Sequence, residues 1–101
     1  MKATILINLV AESGDASDLI GASIQVTEGG ETTLDTTWQG TTITTTADIG
    51  ATYKVVVGEV TGYYRYIIDQ SGTAAAGATY SCTFNYATEV VTVNVKGITD
   101  L

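Results

Sequence analysis

Tyr80-Ser81-Cys82-Thr83-Phe84-Asn85-Tyr86 alternates without a break between a large or apolar residue and a small polar one, and that alternation decides the fold. Successive side chains of an extended chain point to opposite faces, so Tyr80, Cys82, Phe84 and Tyr86 share one face. A helix would scatter the same four around its circumference. The segment reads as a strand with a buried face, on which Cys82 serves as a small core residue.

The same period of two extends outward along the chain. Thr4 to Val10 places Ile5, Ile7 and Leu9 on one face, and Leu6 and Val10 opposite them imply cover on both sides. The polar loop Glu12 to Asp18 precedes a second strand, about Ala22 to Glu28, with Ala22, Ile24 and Val26 inward. Gly29-Gly30 then joins two extended segments, a tight-hairpin signal because both positions tolerate positive φ. A third strand, Thr32 to Trp38, points Thr32, Leu34, Thr36 and Trp38 to one face. The Thr-rich fourth, Thr41 to Thr46, has Ile43 as its one large apolar residue and is expected at a sheet edge. In the fifth strand Tyr53, Val55 and Val57 share a face, and Tyr63 to Asp69 reads as the sixth. Gln70 to Ala78, small, polar and glycine-containing, reads as a loop. Thr79 to Tyr86 and Glu89 to Val95 close the chain as two further strands.

Composition agrees with an all-β protein. Nineteen of the 101 residues are Thr and none is Pro, and branching at Cβ disfavours helix while suiting a pleated sheet. Seven to eight short strands at this spacing predict an immunoglobulin-like β-sandwich occupying residues 1–101 as a single domain, with a closed barrel as the next architecture. An internal echo links Ile7-Asn8-Leu9 to Val93-Asn94-Val95. Either Thr/Val-rich strands resemble one another by chance, or the last strand marks a seam where a further repeat of the same kind follows.

Charge and residue inventory narrow the function. Eleven acids against four bases, Lys2, Lys54, Arg65 and Lys96, give a net charge of −7. Phosphate backbones and anionic membranes are bound through Lys and Arg, so neither nucleic acid nor membrane is an expected partner. No apolar run approaches the roughly 20 residues a membrane helix needs. Met1-Lys2 runs straight into a strand without a cleavage site, so no secretory leader is expected.

The sequence has no His, which removes the commonest general base, imidazole metal sites and His-dependent nucleophiles. A lone Cys82 excludes an internal disulfide, and no phosphate-binding or nucleophile-elbow motif occurs. An enzyme is not expected, and no cofactor is implied. Glu12, Asp15 and Asp18, spaced by three in one loop, match no calcium-loop pattern, so they read as a solvated loop rather than a calcium site. Contacts are left to exposed aromatics. In Tyr63-Tyr64-Arg65-Tyr66 alternation sends Tyr64 and Tyr66 one way, and Tyr63 and Arg65 the other. One pair belongs to the core, and Tyr63 beside Arg65, with Trp38, forms the candidate contact patch. Trp38 itself, next to the Gln39-Gly40 turn, fits a core plug better than an exposed anchor.

Leu19-Ile20-Gly21-Ala22-Ser23-Ile24-Gln25-Val26 and Ile49-Gly50-Ala51-Thr52-Tyr53-Lys54-Val55-Val56-Val57, followed by Gly62-Tyr63, resemble the immunoglobulin-like or prealbumin-like modules of bacterial and phage surface proteins. These include collagen-adhesin B-type and carboxypeptidase regulatory-like repeats. Collagen-adhesin modules often carry an acid-assisted Lys–Asn isopeptide bond. The resemblance would place its Lys where this chain has Leu9 and Val10, and its acid near Val56 or Val57. Asn94 suits the acceptor, but Lys2 lies too early, so no isopeptide bond is expected. The Thr-rich strands and the closing Thr88-Glu89-Val90-Val91-Thr92-Val93-Asn94-Val95 also resemble modules of phages and prophages of gut bacteria. That likeness implies a non-catalytic virion accessory, a capsid decoration or a head or tail fibre, made in the host cytoplasm. It would dock on capsid, fibre or copies of itself in an oligomeric assembly. The alternative is a bacterial cell-surface adhesin module that binds a surface glycan.

Overall fold

The computed structural model describes residues 1–89. Eight strands occur among them: β1 Ala3–Ala11, β2 Ser23–Glu28, β3 Glu31–Thr37, β4 Ile43–Ala47, β5 Thr52–Val57, β6 Tyr63–Arg65, β7 Asp69–Thr73 and β8 Thr79–Thr88. They form two four-stranded sheets, in the orders β4-β1-β8-β6 and β3-β2-β5-β7, an immunoglobulin-like sandwich. The expected strand from Glu89 to Val95, the Val93-Asn94-Val95 echo and the isopeptide acceptor Asn94 lie outside the described residues but for Glu89.

β1 and β8 are the only parallel pair among the described strands, in register from Thr4 opposite Thr79 to Ala11 opposite Tyr86. Their inward faces supply the middle of the core: Ile5, Ile7 and Leu9 lie beside Cys82, Phe84 and Tyr86. Val26, Ile24, Val55, Val57 and Tyr53 from the second sheet meet them. No polar or charged residue is buried among the described residues, so the interior carries no desolvation cost beyond that of its tyrosine hydroxyls. The hydroxyl of Tyr86 donates to the carbonyl of Gly58 at 2.8 Å, and that of Tyr80 donates to Thr73 at 3.1 Å while accepting from the amide of Ala75. Cys82 is a free, buried thiol, and burial pushes its pKa up, away from the reactive thiolate.

Local chemistry explains the turns. Gly29 and Gly30 have φ of 58° and 89°, the two positive values that a primed hairpin turn between β2 and β3 requires. β4 lies at an edge, against β1 alone, as its Thr-rich composition predicts. A register shift between Val26 and Thr27 bulges the hairpin and leaves Thr32 exposed, although strict alternation puts it inward.

Two expected elements differ. Tyr63 to Asp69 is not one strand: β6 ends at Arg65, and the chain crosses through Tyr66, Ile67 and Ile68 to the other sheet. The segment read as a loop from Gln70 contains β7, paired antiparallel with β5 from Thr52 opposite Thr73 to Val56 opposite Asp69. Its ladder is made of backbone, which a small polar sequence supplies as well as an apolar one. Gly72 lies where a Cβ would stand 2.8 Å from the Tyr53 hydroxyl, so the glycine makes room for that ring.

Truncating Phe84, fully buried between the sheets, is expected to cost about 3–5 kcal/mol, about half of the roughly 5–10 kcal/mol margin of a domain this size. Tyr86→Phe, which removes only the bond to Gly58, is expected to cost about 1 kcal/mol. Denaturant midpoints of the two variants measure the difference; equal midpoints would refute this account of the core.

Candidate functional surface

The first loop and β6 are built around one hydroxyl. Asp15 caps a single 3-10 turn, Ala16–Leu19, by accepting from the amide and hydroxyl of Ser17 at 3.0 and 2.8 Å. These bonds hold the Asp15 carboxyl below its usual range, because they stabilise the ionised form. The turn drives Leu19 into the core. Tyr63 reaches across from β6, donating its hydroxyl to Asp18 at 2.9 Å and accepting the amide of Asp15 at 2.9 Å. Gly14, at φ 79°, passes directly over that phenol ring and has no room for a Cβ.

Tyr63 is therefore half-buried and committed to the loop, and Arg65 is committed as well. Its guanidinium donates to the carbonyl of Val57 at 2.6 Å and lies 3.7 Å from Glu59. The Arg65 side chain is 19% exposed and that of Glu59 88%, so the pair is a surface one of small energetic weight. Trp38 is 4% exposed, its amide bonded to Ala22 and its carbonyl to Gly21. The sequence-derived patch of Tyr63, Arg65 and Trp38 is thus corrected: Trp38 is core, and the more exposed tyrosines are those at the end of β6 and just beyond it.

That pair is Tyr64 and Tyr66, on the outer face of the β4-β1-β8-β6 sheet. Their ring centroids are 5.1 Å apart at 79°, an edge-to-face arrangement favoured by the ring quadrupole, and their hydroxyls are bonded at 3.1 Å. The bond from Tyr64, followed by partial desolvation and the nearby Glu12 carboxylate, pushes the Tyr66 phenol up to about 12. Tyr64, Tyr66, Ile67 and Ile68 are each between 45% and 53% exposed. The other large exposed apolar residues of the described chain, Met1, Ile20 and Ile49, are separate in sequence from one another and from this run. Beside it lies an open cleft of about 660 Å³, with Glu59, Arg65 and Glu89 on its walls. The crossover between sheets exposes Ile67 and Ile68, and alternation alone could not reveal it.

The three loop acids do not converge. Asp15 holds Ser17, Asp18 holds Tyr63, and Glu12 faces Tyr66. Among the described residues no group of three His, Cys, Asp or Glu side chains is placed to hold a metal ion.

The sandwich matches part of a solved pilus-presented adhesin (Cpa), with a TM-score of 0.60 and 14% sequence identity over 90% of this chain. The chain spans 28% of that adhesin's length. Identity at this level shows a shared fold. No family model and no curated protein matches the sequence.

Two outcomes check this surface. Gly14→Ala is expected to destabilise the domain by more than the 0.4–1 kcal/mol or so that a compatible Gly→Ala gains, because φ and the Tyr63 ring both oppose it; an unchanged melting temperature would contradict the packing. A raised phenol pKa contributes stability that is complete below about pH 10, the ordinary tyrosine value, and is lost as pH rises through about 12. Absorbance titration should show a tyrosinate forming near that upper value, and the Tyr66→Phe variant should lose one tyrosinate from that part of the curve.

Proposed function

We propose that this chain is a non-catalytic module of a surface assembly and acts by docking on another protein. The observation that carries this reading is the exposed run Tyr64, Tyr66, Ile67 and Ile68. Solvent-facing apolar side chains gathered in one place favour a partner over water, and rigid tyrosines give contact area at small entropic cost. The acids around the run, Glu12, Glu59 and Asp69, together with the net charge of −7, favour a neutral or basic partner surface.

The finer reading is a virion accessory, a capsid decoration or a head or tail fibre, and its support is the sequence resemblance to phage modules. On a symmetric lattice many weak copies gain avidity without strong single contacts. The second reading is an adhesin module of a bacterial cell surface, supported by the fold shared with the pilus-presented adhesin.

Quantitative protein analysis of purified particles separates the two. The virion reading expects this chain at a fixed ratio to the major capsid or fibre protein. Its absence from particles, with protease-sensitive display on intact bacteria, would replace that reading with the second. The double variant Tyr66→Ser/Ile67→Ser is expected to keep the melting temperature within a few degrees and lose at least tenfold in retention on the assembly. Undiminished retention would move the docking face elsewhere.

A further inference from the structure

We propose that the β1–β8 ladder is a shear clamp, and that this chain bears tensile load applied between residue 2 and residue 89, at opposite poles of the sandwich.

The load path follows from strand direction. β1 begins at Ala3 and β8 ends at Thr88, and the two run parallel, Thr4 beside Thr79 and Ala11 beside Tyr86. The start of one and the end of the other therefore lie at opposite poles. Tension between them draws β1 toward one pole and β8 toward the other, along the strands. The bonds of a parallel ladder are evenly spaced, so they share the load and none opens first. In an antiparallel pair the same two ends would lie side by side, and tension would open the ladder one bond at a time.

The ladder is continuous. Its outermost bonds, from the Thr4 amide to the Ala78 carbonyl and from the Glu12 amide to the Tyr86 carbonyl, are both 2.8 Å. They have the same offset in numbering, so no bulge interrupts the register between them. Neither strand contains Gly or Pro. Both are interior strands of one sheet, β4-β1-β8-β6, so β1 must also part from β4, with which it pairs from Ala3 to Ile7. Beneath the ladder Ile5, Ile7, Leu9, Cys82, Phe84 and Tyr86 are all buried. Because side chains alternate, sliding must advance by two residues, about 6.6 Å, before one inward set meets another. Close packing of the core resists every position between.

Both points of entry are tied. At one pole the Lys2 ammonium lies 2.7 Å from Asp48, which directly follows β4. At the other, the Ser13 hydroxyl accepts the Thr88 amide at 2.8 Å and lies 2.9 Å from the Thr88 hydroxyl, while the Glu89 amide donates to the Gly62 carbonyl at 3.0 Å. Tyr64 stands at this second pole, opposite Ala87 in the β6–β8 register. A partner docked on it grips the pole where β8 ends, and load entering at residue 2 reaches that partner through the ladder. The clamp itself needs no docked partner.

Single-molecule force spectroscopy of the full 101-residue chain tests the proposal, with handles on cysteines introduced at exposed positions. Lys2→Cys/Glu89→Cys loads the ladder in shear. Lys2→Cys/Ala76→Cys places both handles at one pole, since Ala76 precedes β8, and peels β1 from β8. The native Cys82 is buried and takes no handle. Forced unfolding reads the unfolding barrier, so two variants that melt alike are expected to differ in unfolding force by about twofold or more, shear above peel. Ser13→Ala is expected to lower the shear force and leave the peel force unchanged, because its bonds to Thr88 lie at the end of the ladder far from the peeling handles. A shear force no greater than the peel force, or a Ser13→Ala loss equal in both directions, would overturn the proposal.

Discussion

The parallel pairing of β1 with β8 is the constraint on which the rest of the structure depends. It joins strands more than seventy positions apart and sets Ile5, Ile7 and Leu9 against Cys82, Phe84 and Tyr86. A one-residue slip of β8 against β1 would turn Cys82, Phe84 and Tyr86 outward and bring Ser81, Thr83 and Asn85 inward. The register is therefore fixed by burial rather than by a turn, since a parallel pair has no hairpin to set it. Both outer neighbours follow from it: β4 pairs with β1, and β6 with β8.

The same pairing governs the first loop. β1 continues past Ala11, where the amide of Glu12 donates to the carbonyl of Tyr86, and this brings residues 13–18 over the end of β6. Ser13 bonds Thr88, and Tyr63 bonds Asp15 and Asp18. Gly14 is needed there because a left-handed turn and an aromatic ring meet at one residue. Committing Tyr63 inward is what sends Tyr64 and Tyr66 outward. The exposed aromatic surface is thus a consequence of core registration, two steps removed.

Much of this was legible from alternation. Tyr53, Val55 and Val57, the Gly29-Gly30 hairpin, the buried Trp38 and the edge position of β4 all follow from side-chain period and turn chemistry. Two kinds of feature did not. β7 has no apolar alternation, because Gly72 serves the Tyr53 ring and the ladder to β5 is backbone alone; hydrophobic pattern cannot report a strand held that way. For Tyr63 to Tyr66, alternation fixes which residues share a face and not which face meets the core. That choice was made by Asp15, Asp18 and Val57, through bonds to Tyr63 and Arg65 that span 8 to 48 residues.

With the interior free of buried charge, the acidic excess lies on the surface, and there it has a structural use. Among the described residues, three of the four edge strands bear a charged side chain, and at physiological salt such charges act over about 8 Å, too short to reach across the domain. Each edge is therefore guarded by its own residues, and the net charge of −7 does not protect an edge that lacks them. A protein under selection merely to stay soluble would be expected to place a Lys or Glu among Ile43 to Ala47, where Thr44 and Thr46 already face solvent and would tolerate either. Among the described residues β4 is the edge strand without a charged side chain, so the acidic surface guards the sheet edges unevenly.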